Sequence, residues 1–282
     1  MEKETLPSFI KNVSNHELYG RTYEVLLPCG SKVTLREQNG NDDDVISSFN
    51  KGEVESTSFN RFVAGLVVDN NFPFVKTPGK SLSVKEVLQM PLNSKYFIIM
   101  VSRIFSLGEM LYFEWDWKDG NKPVPYEDDL TQYLWDYEIT FPEPGDPIYN
   151  KERIKPYTIT KDSEGNIEYH RQFTLKTGKT IKYDLLNGHG ENYLLKLPVD
   201  KRTANSTIKA RNTCLWVEEK GDWVKIENFK FFTPREMAEI RAGILDTDPS
   251  FEGLTTIENP VNGESSQLPL LHIPDFFFPR EI

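Results

Sequence analysis

"SKYFIIMVSRIFSLGEMLYFEWDWKDGNKPVPYEDDL", residues 94 to 130, changes its period halfway along. Up to Leu107 it is apolar on almost every side, which reads as a buried helix, and Gly108 supplies the stop. Beyond it the period falls to two. Tyr112, Glu114 and Asp116 alternate with Phe113, Trp115 and Trp117, giving one acidic and one apolar face. Asp119-Gly120 is a turn signal for a hairpin, and Pro123 and Pro125 stiffen the return limb. The carboxylates Asp116, Glu127, Asp128 and Asp129 invite a metal or acid–base reading. No thiol or imidazole lies between residues 112 and 140, however, and a surface hairpin accounts for the composition. A helix handing over to antiparallel strands predicts an α+β chain.

Upstream, "TYEVLLPCGSKVTLRE" carries two β-prone runs, Tyr23–Leu27 and Val33–Leu35, around the turn-rich Pro28-Cys29-Gly30-Ser31, which reads as a β-hairpin. Asn41 then reads as the cap of a helix with Asp42, Asp43 and Asp44 in its first turn, where the helix dipole favours acids. Successive helical positions point about 100° apart, so three adjacent aspartates do not converge on one ion. Phe59, Phe62, Val63, Leu66 and Val67 form a helical stripe, and Ser83 with Glu86 has the spacing of a capping box for a short helix before Pro91.

Downstream the pattern is mostly β. "YTITKDSEGNIEYHRQFTL" reads as a hairpin around Glu164-Gly165-Asn166, "KTIKYDLL" continues it, and two further strands meet at Lys220-Gly221-Asp222 with Trp216 and Trp223 suited to packing across them. Thr233, Pro234 and Glu236 satisfy three helix-start rules at once. The reading is therefore an arm over 1–20, a hairpin plus helical region over 21–141 that contains a metal-free hairpin at 112–130, and a β-rich segment over 142–210. Two strands and one late helix occupy 211–246, and 247–282 is an extended C-terminal arm. Its apolar cluster includes Leu268, Leu270, Leu271, Ile273 and Phe276 to Phe278, and each large side chain left in water forgoes about 1.5 to 3 kcal/mol. Pro274 and Pro279 argue against a helix there, and an extended chain points Phe277 opposite to Phe276 and Phe278. Docking on the chain's own domain and docking on a partner both stay open. Phe276, Phe277, Phe278, Leu270, Leu271, Trp115 and Trp117 are the candidate partner-binding residues.

Composition narrows the function classes. A 282-residue chain with 38% hydrophobic residues has room for one large domain or two modest ones. A net charge of −10 opposes sequence-independent binding to a phosphate backbone as the main task. No apolar run suits a membrane span or a signal peptide, so the expected location is a cytoplasm or the inside of a particle. Cys29 and Cys214 stand apart from any paired-cysteine motif and read as free thiols, with a long-range disulfide as the alternative. No phosphate loop, dinucleotide fingerprint, zinc-protease motif or nucleophile elbow occurs, and His170 and His189 lack a second histidine at ligand spacing. The sequence assigns no catalytic, cofactor or metal residues and no enzymatic activity.

The order of these pieces resembles the baseplate-hub and hub-assembly proteins of T-even-type contractile-tailed bacteriophages and related phage tail proteins. The stretches that carry the resemblance are "VTLREQNGNDDDVIS", "SFNRFVAGLVV", "VLQMPLNSKYFIIMVSRIFSLGEMLYFEW", "YEDDL", "ENFKFFTPREMAEIR" and the terminal "DFFFP", about half of the chain. The resemblance implies a non-enzymatic virion component or assembly factor that works by protein–protein docking, in an oligomer or ring. Relatives carry cysteine pairs in the hairpin after the "SLG"-like helix end; Trp115, Asp116 and Trp117 stand there instead, which implies aromatic packing in place of an ion. Residues 142–210 have no counterpart in the family. A capsid or head-to-tail connector protein is the alternative, and a metal-dependent hydrolase built on Asp42–Asp44 and the Asp116–Asp129 cluster a minor one.

Overall fold

The structure is a computed structural model and describes residues 10–49, 55–76, 79–134, 158–161, 167–196, 216–226, 232–247 and 253–279. The chain is α+β. The first hairpin is β2 (Gly20–Leu26) and β3 (Lys32–Arg36), closed through Gly30 at φ 86°. It sits inside a four-stranded sheet, ordered β1-β2-β3-β4, with β1 (Ile10–His16) and β4 (Val67–Asn70) on its edges. The arm expected over residues 1–20 is therefore a paired strand from Ile10 onward, and its first nine residues lie outside the described ones. Only Ile10 of β1 is buried, so the strand lacks the apolar alternation by which a half-buried strand is recognised.

The helices α1 (Gly40–Phe49), α2 (Glu55–Leu66) and α4 (Leu92–Leu107) follow, with the single turn α3 (Val84–Val87) before α4. The cap of α1 is Asn39, whose side chain accepts from the Asn41 amide at 3.0 Å, two positions earlier than expected. Ser83 and Glu86 make the reciprocal capping box of α3. Phe97, Ile98, Ile99, Met100 and Val101 are all buried, as an all-round apolar helix requires, and Gly108 ends α4 at φ 88°. The hairpin β5 (Met110–Trp115) and β6 (Val124–Asp129) then leaves Tyr112 and Glu114 in solvent and buries Phe113.

The second sheet is an antiparallel meander ordered β11-β10-β9-β8-β7. Its strands are β7 (Thr158–Lys161), β8 (Ile167–Thr174), β9 (Thr180–Asp184), β10 (Trp216–Glu219) and β11 (Asp222–Lys225). It runs across the 210/211 position at which the sequence suggested a change of segment. The proposed turn at Glu164-Gly165-Asn166 lies outside the described residues. In the β10–β11 register Trp223 stands opposite Glu218, not Trp216. Between β9 and β10 comes α5 (Gly188–Leu195), tied back to the start of α4 by the Leu92 amide on the Leu186 carbonyl at 2.8 Å. Gly188 is demanded by proximity there, since a Cβ would stand 2.9 Å from the Leu88 Cα. The late helix α6 (Pro234–Thr247) starts as the sequence predicts, with Thr233 and Glu236 exchanging cap hydrogen bonds. Gly243 of α6 lies against the Phe173 ring of β8, where a Cβ would stand 2.7 Å from a ring carbon and force the ring to shift.

The C-terminal arm is corrected. Residues 254–277 form a hairpin, β12 (Leu254–Glu258) and β13 (Ser265–Pro269), a 3-10 turn (Leu270–His272) and a helical turn, α7 (Pro274–Phe277). Pro274 does not forbid the turn, because it occupies N1, where its missing N–H has no helical partner to lose. Leu270, Phe276 and Phe277 are buried in the chain's own core, which removes them as partner anchors, while Leu271 and Phe278 stay half-buried. Phe277 meets Phe59 and Phe62 of α2 at centroid distances of 5.9 and 5.7 Å.

Candidate functional site

The acidic triplet does not converge. Asp42 is buried and accepts from both terminal nitrogens of Arg36, at 2.7 and 2.8 Å, and from the Asn39 amide at 2.8 Å. This bidentate pair fastens α1 to β3. Asp43 and Asp44 point to solvent, and burial followed by the neighbouring Asp42 and Asp44 charges raises the Asp43 carboxyl above its ordinary value.

The aromatic positions of the 114–130 hairpin are used by the chain itself. Trp117 Nε1 donates to Tyr126 Oη at 2.9 Å, and that hydroxyl donates to the Glu258 carbonyl of β12 at 2.8 Å. Asn259 reaches Asp119 at 3.0 Å. Trp115 and Trp117 are half-buried, so the C-terminal hairpin clasps the side of the hairpin that composition offered to a partner. Asp128 is engaged by Gln132 and by Tyr133 Oη.

The terminal segment is held by Arg103 of α4, which is almost fully buried. It donates to three carbonyls: Phe276 at 2.5 Å, Gly108 at 2.7 Å and Met110 at 3.3 Å. Burial lowers its guanidinium pKa to about 10, which still leaves it charged at neutral pH. Cys29 is free and buried, and burial pushes its thiol up, away from the thiolate that reacts; Cys214 lies outside the described residues. Lys95 and Tyr96 both bond Glu191, joining α4 to α5.

Two features remain that sequence reasoning did not find. The first is the tip of the β1–β2 hairpin. Strand pairing with β3 ends at Thr22, so the outer part of the hairpin projects beyond the sheet. Leu18 is 81% exposed there and Tyr19 42%. Their hydrogen bonds are local, from the Leu18 amide to His16 Nδ1 at 3.2 Å and from the Tyr19 amide to the His16 carbonyl at 3.3 Å. A shift of register between Lys11 and Ser14, with Asn12 at φ 53°, twists the outer edge of β1 and guards it against strand addition. The apolar tip is thus the exposed end of a shielded strand.

The second is on the meander. Glu168, His170 and Asp184 lie on one face, each offering a ligand atom within 4.8 Å of the others'. His170 is paired directly with Asp184 across β8 and β9. The signal was present in the alternation of β8, but it needed the turn at Lys176–Gly178 to set the register.

Among the described residues no helix is long and apolar enough to cross a membrane. Comparison of the chain with protein-family models, with curated proteins and with solved structures finds no match in any of the three.

Proposed function

We propose that this chain is a structural or assembly protein of a bacteriophage particle, located at the tail baseplate hub, and that it works by docking to other particle proteins without catalysing a reaction. The location rests on the ordered resemblance of the stretches between Val33 and Pro279 to the hub and hub-assembly proteins. In this reading the helical N-terminal half after the first hairpin is the family-like body. The β-rich C-terminal half with its late helix carries the addition. The single structural observation that supports docking is the projecting β1–β2 tip, where Leu18 and Tyr19 are exposed on a hydrogen-bonded two-stranded support. An apolar side chain presented this way gives an anchor at low entropic cost, because the backbone behind it is already ordered.

The test is genetic and structural together. Deleting the gene from the phage that encodes it is expected to leave filled heads that lack functional tails. A normal yield of infectious particles overturns the reading, and so does the loss of heads with complete tails still formed.

A further inference from the structure

We propose that Glu168, His170 and Asp184 form a binding site for one divalent first-row metal ion of the zinc class, which clasps β8 to β9. The placement follows from strand geometry. Glu168 and His170 are two residues apart on β8 and so point to the same face, and Asp184 is the direct cross-strand partner of His170. One imidazole and two carboxylates thus bring their ligand atoms within 4.8 Å of one another.

The hydrogen bonding carries the argument further. His170 is 4% exposed, and its Nδ1 touches Asp184 Oδ1, yet neither of these buried atoms makes a hydrogen bond of acceptable geometry. Buried polar atoms without a hydrogen bond are rare and costly, and a cation ligated by both would satisfy them, with the Asp184 carboxylate drawing back from the ring to admit it. The other ring nitrogen is already occupied. Nε2 lies 2.5 Å from Thr160 Oγ1 on β7, which leaves Nδ1 as the nitrogen turned to the ion and supplies the outer partner that ligating histidines ordinarily have. Glu168 Oε2 is 3.1 Å from Nε2, its side chain 31% exposed, so to serve as the third ligand it turns from there to the Nδ1 side when the ion binds.

The donor set selects the ion. An imidazole favours zinc and its neighbours over magnesium and calcium, whose preferred ligands are all oxygen. Three protein ligands leave a fourth position for water. Because the ligands come from both sides of the β8–β9 turn, binding would pin the register of that hairpin, and with it the strand on which α6 rests.

The experiment uses the full chain, stripped of metal by chelator and titrated with Zn²⁺ alone against a competing chromogenic chelator, with Mg²⁺ as the control. The expected result is one equivalent of Zn²⁺ bound, an upward shift in melting temperature that saturates at that equivalent, and no shift with Mg²⁺ at the same concentration. Asp184→Asn and Glu168→Gln, each still melting cooperatively without metal, are expected to weaken Zn²⁺ binding more than about tenfold. Asp116→Asn, on the separate β5–β6 hairpin, is expected to bind as the wild type does. A wild-type chain that takes up no stoichiometric Zn²⁺ overturns the proposal. So does binding that is equal in the wild type and in both carboxylate variants.

Discussion

The two ends of this chain carry apolar segments of similar promise and opposite fate. Near the C-terminus, Leu270, Phe276 and Phe277 are buried in the core, Phe277 against α2 and Phe276 against Arg103 of α4. Near the N-terminus, Leu18 and Tyr19 stand at the tip of a hairpin that reaches past its own sheet. Composition offered the first as a candidate docking surface, with packing on the chain's own domain equally open, and passed over the second. What separates them is the fate of the neighbouring polar groups. The terminal segment has its carbonyls taken up by the chain, Phe276 by Arg103 and Gly253 by the Leu270 amide at 2.7 Å, and such bonds favour a segment packed against its own protein. Among the described residues, the backbone amides of Leu18 and Tyr19 bond only within their own turn.

The largest effect is expected at Phe276, whose ring is wholly buried and whose carbonyl receives Arg103. Phe276→Ala should destabilise the chain by about 3 to 5 kcal/mol through lost burial and the cavity left behind. Urea denaturation followed by circular dichroism measures it. A midpoint unchanged from wild type would break the comparison, because the segment would then not belong to the core. The same residue in a free or partner-docked arm would cost almost nothing in the isolated chain.

Much of this architecture was legible because local signals and burial agreed. The period change at Gly108 located both α4 and the β5–β6 hairpin, and Thr233-Pro234 with Glu236 located the start of α6. The features that escaped are of four physical kinds. Strand β1 escaped because water meets both faces beyond Ile10, so no apolar period exists to read. The turn α7 escaped because proline in sequence reads as a helix breaker, although at N1 it is compatible with a helix. The Glu168–His170–Asp184 cluster escaped because its members become neighbours only through register. The turn that sets it is closed by the Leu175 amide on the Lys179 carbonyl at 2.9 Å, with Gly178 at φ 85°. From there the pairing counts outward, Thr174 with Thr180 and His170 with Asp184. The Arg36–Asp42 pair had no signal at all beyond two opposite charges six residues apart.

A segment held by polar groups sharpens the contrast with the buried terminus. At the start of α6, Thr233 caps the Glu236 amide at 3.2 Å, and Glu236 returns to the Thr233 amide at 2.9 Å and reaches Lys179 at 2.8 Å. Thr233→Ala should cost about 0.5 to 2 kcal/mol, below the expected cost at Phe276. The Lys179 ammonium, then the Thr233 amide, hold the Glu236 carboxyl down at about 2. A carboxyl depressed in the folded state contributes stability above its ordinary unfolded value and loses it as pH falls toward the folded one. Glu236→Gln keeps the reciprocal cap and removes the charge. The gap in melting temperature between wild type and this variant should therefore be full at neutral pH and narrow as pH drops below about 4.5. A gap that is constant with pH would show that the Lys179 contact contributes nothing.

The smallest effect on stability is expected at Leu18, and there the two ends of the chain part most clearly. With the side chain 81% exposed and no contact to the core, Leu18→Ser removes almost no buried area, so its denaturation midpoint should stay within about 0.5 kcal/mol of wild type. Under the proposed docking role, its effect on assembly is expected to be large. An anchor that fills a partner's pocket contributes through the area it buries on binding, and a serine in its place leaves that pocket partly empty with a polar group inside. Paired measurements decide the matter: the midpoint of the purified variant, and its copy number in particles made when it is the sole source of the protein. Unchanged stability with depleted incorporation locates the docking surface at the tip. A wild-type copy number shows that the tip is only a solvated turn, and a strongly lowered midpoint shows that it belongs to the core after all. Tyr19→Ser extends the test along the same edge. At 42% exposure, with its ring 4.8 Å from that of His16, it should cost slightly more stability than Leu18→Ser while impairing incorporation in the same direction.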